Sequence, residues 1–198
     1  MSESLLFSPF TLPSPQGGLA LANRIVIAPM CQYLATDGLA NDWHLAHWTS
    51  LLNSGAAMLT IEATGVTVDG RITQGCLGLW DDRTETTLGE MLQRARKLAP
   101  PVPVCIQLAH AGRKASSAVP WAGGALLSPA EHRARVARGD AAGLVPGLCG
   151  TEGVTVGGRV LEGVQRVAQA GQLLDDLLAV ARQDVAPHRR FSGGEIGR

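Results

Sequence analysis

The stretch that decides the fold is RIVIAPMCQYLATDGLANDWHLAHWTSLLNSGAAMLTIEA, Arg24 to Ala63. It opens with a short β-branched run, Arg24–Pro29, that proline closes. A loop then leads into Trp43–Gly55, where Trp43, Leu45, Ala46, Trp48, Leu51 and Leu52 recur at helical spacing until Asn-Ser-Gly stops the pattern. Ala57–Ala63 follows as a nearly all-apolar strand, the composition of a parallel strand covered on both faces. Strand, helix and strand in that order are one βαβ unit.

Working outward, Val66–Ile72 reads as a small hairpin turning at Asp69-Gly70. Asp82–Ala99 is a second helix, with acids early and Arg94, Arg96 and Lys97 late, as the helix dipole favours. Val102–His110 is a third strand, expected to be buried, so the first half holds three βα-type repeats. Right-handed crossovers between them lead to a (β/α) barrel or a doubly wound sheet. After Pro129 the character changes. Every basic residue beyond Lys114 apart from histidine is arginine, and Phe191 is the only aromatic after Trp121. In this half Gly153–Val160 is a short strand candidate. Leu161–Val185 carries an approximate apolar face and predicts one helix, weakened by about 1 kcal/mol at Gly171. The domain organisation expected is therefore residues 1–128 as an α/β portion and 129–198 as an atypical tail rich in arginine, glycine and alanine.

Composition narrows the function. Lys+Arg and Asp+Glu both total 17 in 198 residues, which steers toward neither nucleic acid nor an anionic membrane. Cys31, Cys76, Cys105 and Cys149 form no Cys-x-x-Cys pair, so neither a zinc ribbon nor a dense disulfide framework is expected, and a reduced, cytoplasmic setting is. The N-terminus has neither a basic n-region nor an unbroken apolar run.

The residues with chemistry cluster after the strands: Cys31 and Tyr33 after the first, Glu62 and Ala63 ending the second, Gln107, His110, Arg113 and Lys114 ending the third. C-terminal strand ends are where barrel enzymes place their active sites. Gln107, polar in an apolar strand, needs a partner, because a buried unpaired amide costs about 1–3 kcal/mol. His44 and His47 share a helix face but have no third ligand at helical spacing, so packing or capping is expected of them and no metal. No Walker loop, Rossmann fingerprint or Gly-x-Ser-x-Gly elbow occurs.

Four motifs recur in one order: LFSPFTL, LANRIVIAPMCQYLATDGLANDWHLAHW, IEATGVTVDGRITQGCLGLWDD and CIQLAHAGRKASSAVPWAGG. Together, over Leu5–Gly124, they resemble the Old Yellow Enzyme family of FMN-dependent ene-reductases, in its thermophilic-like branch that includes the xenobiotic reductases. The resemblance implies a (β/α)₈ TIM barrel with FMN at its C-terminal face and NAD(P)H as reductant. It also implies a small activated alkene such as an enone as substrate, and a homo-oligomer. Ala28, Pro29, Met30 and Cys31 would line the flavin, Cys31 tuning it rather than attacking. Tyr33 would approach the substrate, Ala63 would contact the ring, Gln107 would bond its pyrimidine edge, and Arg113 and Lys114 would stand on the rim. The family's next strand carries a His-x-x-His or His-x-x-Asn pair that binds the substrate carbonyl. Nothing after Trp121 matches it, and His132 and His188 stand alone. The expectation is an incomplete barrel with its first three βα units present. The remainder would be an unrelated or frameshifted tail, and the chain either inactive alone or a partial barrel completed by self-association.

Overall fold

Three parallel strands in the order β3-β4-β5 form the centre of the fold: β3 (Val26–Ile27), β4 (Met58–Gly65) and β5 (Val104–Ala109). The computed structural model describes residues 4–13, 18–111 and 116–137. The expected strand 153–160, the expected helix 161–185, and Arg113 and Lys114 lie outside the described residues. An antiparallel hairpin of β1 (Phe10–Leu12) and β2 (Leu19–Leu21), which the sequence pattern does not announce, precedes the parallel sheet.

Helices α1 (Asp42–Leu52) and α2 (Asp82–Lys97) connect the parallel strands and begin on side-chain caps. Asn41 accepts the Trp43 N–H while the His44 ring reaches back to the Asn41 N–H, and Asp81 and Thr84 make the same reciprocal arrangement ahead of α2. Such caps satisfy amides that have no partner within the helix. The apolar stripes of both helices then meet one face of the sheet. Trp48, Leu52, Leu88, Leu92 and Ala95 pack with Leu59, Ile61 and Val104, each 9% exposed or less. Burying each of the larger side chains contributes roughly 1.5–3 kcal/mol.

Three expectations need correction. Residues 66–72 make no hairpin: Val68–Gly70 is a 3₁₀ turn, with the Gly70 N–H bonded back to the Thr67 carbonyl at 3.1 Å. Asp69-Gly70 bends the chain, but no partner strand returns beside it. The third strand is not buried throughout. In β5 only Val104 is buried; Ile106 is partly covered by the core, while Cys105, Gln107 and Leu108 are exposed. Consequently Gln107 is not a buried amide in need of a partner. The helices cover one face of β5, and β5 is an edge of the described sheet.

Past the sheet, α3 (Pro129–Ala137) forms where the tail was expected to begin. Ser128 and Glu131 cap it reciprocally, the Ser128 N–H donating to the Glu131 carboxylate at 2.9 Å and the Glu131 N–H to Ser128 Oγ at 3.3 Å. Glu131 is held below the usual carboxylate range by these Ser128 bonds.

Candidate functional site

The segment after β3 turns sharply at Tyr33, whose φ of 56° lies in the left-handed region. A non-glycine residue there is uncommon and is retained only when its surroundings hold it. Two sets of contacts do so. On one side Gly75 lies so close to the Tyr33 carbonyl that a Cβ would collide with it, and the Ala35 N–H bonds the Gly75 carbonyl at 3.0 Å. On the other side stands Glu62.

Glu62 owes its place to an irregularity in β4. Ile61 pairs with Ile106 and Thr64 with Leu108, so three steps along β4 match two along β5. The extra residue breaks the two-residue alternation of the strand, and a bulge of this kind re-aims a side chain. Glu62 is 3% exposed. Its carboxylate accepts the Gln32 N–H at 2.8 Å, and the neighbouring Tyr33 N–H stands near enough to favour the charged form. Its Oε1 faces His44 Nε2 on α1 across 3.7 Å, and neither of these two atoms has a hydrogen-bond partner among the described residues. Burial pushes the Glu62 carboxyl up to about 7 against the opposing effect of the Gln32 and Tyr33 amides. It pulls the fully buried His44 down to about 4, with His47 adding to the effect. His44 is neutral at pH 7, capping α1 and packing against Trp48 with ring centroids 5.7 Å apart.

Cys31 is half-buried, and the Ala63 N–H and the Tyr33 hydroxyl stand near enough to its sulfur to act on its proton. Burial raises the thiol above its ordinary value, the Ala63 amide opposes that rise, and the Glu62 charge adds to it. Tyr33 is raised as well, by burial first. Both groups are protonated at neutral pH, so Cys31 lacks the thiolate that a nucleophile needs.

The fold thus brings Cys31, Tyr33 and Ala63 together. Gln107, between the paired positions Ile106 and Leu108, lies across from the bulged Glu62 and Ala63, with its amide open to solvent. Met30 is 52% exposed and Ala28 is exposed; Pro29 is half-buried. Beneath them, a cleft lined by Ala28, Met30, Trp48 and Glu62 has room for about one water molecule. That cleft is too small to take a planar ring. His110 leaves β5 against the 68–70 turn, where the Ala111 N–H bonds the Gly70 carbonyl at 2.8 Å. The meeting of Glu62 with His44 escapes a reading of the sequence alone. Its one signal there is an acid in an otherwise apolar strand, beside a histidine on the preceding helix.

Known proteins resemble this chain. The sequence matches the NADH:flavin oxidoreductase / NADH oxidase family over residues 5–132. It is 40% identical over 116 residues to an NADH:flavin oxidoreductase of Gibberella zeae, covering 59% of this chain and 27% of that protein. It is also 40% identical over 129 residues to the NADPH dehydrogenase of Geobacillus thermodenitrificans, covering 64% and 35%. The chain spans about a third of the length of the curated relatives it matches. In fold it resembles the Old Yellow Enzyme from Pichia sp. AKU4542, with TM-score 0.58, 19% identity, and 85% of this chain on 44% of that one. Morphinone reductase in complex with tetrahydroNAD gives TM-score 0.58 at 21% identity, over 85% and 47%. These neighbours are TIM-barrel enzymes, and FMN with NAD(P)H as reductant is the cofactor set that the family match and the NADPH dehydrogenase relative indicate. With 5–132 of its 198 residues matched, the chain belongs to the NADH:flavin oxidoreductase / NADH oxidase family.

Proposed function

We propose that this chain supplies one wall of an FMN site for NAD(P)H-dependent reduction of activated C=C bonds such as those of enones. The observation that supports it best is the grouping of Cys31, Tyr33, Ala63 and Gln107 at and just beyond the C-terminal ends of three neighbouring parallel strands. The groups suit a flavin: an amide free to pair with a heterocyclic edge, exposed Met30 to cover an apolar ring, and a thiol that stays protonated beside it. When bound, FMN supplies hydride transfer between the nicotinamide and the β-carbon of the alkene. In this reading Ala28, Pro29 and Met30 bind and orient the ring, and the Gln107 amide reads its pyrimidine edge. Cys31 tunes the ring from the side, and Tyr33 directs its phenol to the substrate. The barrel strands that would carry a substrate-binding histidine pair have no counterpart among the described residues.

The test is direct. Purified chain incubated with FMN should turn yellow, retain the flavin through gel filtration, and reduce cyclohexenone when NADPH is added. Colourless protein that returns all of the FMN would sink the proposal. The family match that ends at residue 132 of 198 and the change of composition after Pro129 favour a second reading, in which the reading frame is lost and the chain is inactive alone. A His-x-x-His motif in another reading frame of the coding DNA, downstream of Gly124, would support that reading. Its absence from every frame would remove the frameshift.

A further inference from the structure

Burying a carboxylate costs several kcal/mol unless its oxygens are paired, and a strand otherwise made of Leu59, Ile61 and Ala63 would pack as well around a leucine. The bond that the Glu62 carboxylate makes at 2.8 Å goes to the Gln32 N–H, in the backbone of the loop carrying Cys31 and Tyr33. That loop contains a residue at φ 56° and is gripped on its far side by Gly75. The remaining Glu62 oxygen rests against His44, which the Asn41 cap anchors to the start of α1. A chain of contacts therefore runs from the α1 cap through His44 and Glu62 to the loop backbone.

We propose that Glu62 is a positioning residue of the flavin site: aimed by the β4 bulge, its carboxylate holds the 31–33 backbone in place and thereby sets where the Cys31 thiol and the Tyr33 phenol stand. The consequence for chemistry rests on the flavin-site reading above; the positioning itself does not. No sequence motif assigns Glu62 this task, and it touches neither ring nor substrate in that reading.

The chain contains a single tyrosine, which makes the loop directly observable. Ring-labelled tyrosine gives one NMR signal, from Tyr33, and peptide mapping after brief alkylation gives the rate at Cys31 alone. Glu62→Leu removes the acceptor; it should move the Tyr33 signal and raise Cys31 alkylation on the order of tenfold as the loop opens. Glu62→Gln keeps one acceptor oxygen and should leave the signal close to its original position. Leu92→Ala, which weakens the core but leaves the Glu62–Gln32 bond in place, should leave it unmoved. A folded Glu62→Leu protein with an unchanged Tyr33 signal and unchanged Cys31 rate would overturn the proposal. Should Glu62→Leu fail to fold, amide hydrogen exchange in the unmodified chain decides. Slow exchange at Gln32 supports its bond to Glu62, and exchange at the open-chain rate refutes it. An FMN titration separates the two ideas. Loop effects without FMN binding in the unmodified chain refute the flavin reading alone, whereas FMN binding with an unmoved loop refutes the positioning role alone.

Discussion

Glu62 and His44 form a buried pair whose ionisation works in opposite directions on stability. The Glu62 carboxyl rises from an ordinary 4.5 to about 7 on folding, so the native state holds a proton there that the unfolded chain has lost. Its contribution is present below pH 4.5 and disappears as the pH climbs to about 7. His44 falls from 6.5 to about 4, so the unfolded chain holds the extra proton, and stability increases as the pH rises from about 4 to 6.5. In the unmodified chain these slopes oppose each other over the shared window. Glu62→Gln should expose the His44 slope alone, giving an unfolding free energy that increases by a few kcal/mol, at most about 1.4 kcal/mol for each pH unit, from the acid side to pH 6.5. Urea denaturation at a series of pH values measures it, and a flat profile for the variant would contradict the assignment. At this scale the sequence named residues but not their environments. Gln107 was expected to be buried and is exposed, because solvent access depends on what lies over β5, which no property of the residue itself encodes.

The elements were legible where local signals are strong. The helices predicted at Trp43–Gly55 and Asp82–Ala99 form as Asp42–Leu52 and Asp82–Lys97, and the strand predicted at Val102–His110 forms as Val104–Ala109. Apolar period and capping chemistry act within a few residues and survive any tertiary arrangement. Helix α3 had a signal too, since Ser128-Pro129-Ala130-Glu131 combines the capping-box spacing with proline at the first helical position. The change in composition nearby obscured it. Packing strength also belongs to this scale. Leu92 is 1% exposed, at the meeting of α2 with the sheet core. Leu92→Ala should cost about 2–5 kcal/mol, read as a lowered urea midpoint; a loss under about 1 kcal/mol would mean that α2 is only loosely docked.

Across the whole molecule, the described sheet has two flanks, and both expose apolar side chains: Val26 of β3 is 44% exposed and Leu108 of β5 is 39% exposed. Open edges of this kind favour pairing with other strands, and charges on them oppose it. The chain should associate as its concentration rises, and Leu108→Lys should shift it toward monomer in light scattering; a chain that is monomeric throughout would remove self-association as a way of completing the site. Among the described residues no helix is long and apolar enough to cross a membrane. Sequence by itself determined the βαβ order, the helices that begin on caps, the family, and the set of residues placed after the strands. All of these rest on chemistry between near neighbours or on motifs read along the chain. Only the tertiary structure decided that a slip in the β4–β5 ladder turns Glu62 toward His44, that the Tyr33 backbone is held between Glu62 and Gly75, and that Gln107 faces solvent. Burial, pKa and close approach arise when distant segments meet, so their causes are spread over the fold and are absent from any one stretch of the chain.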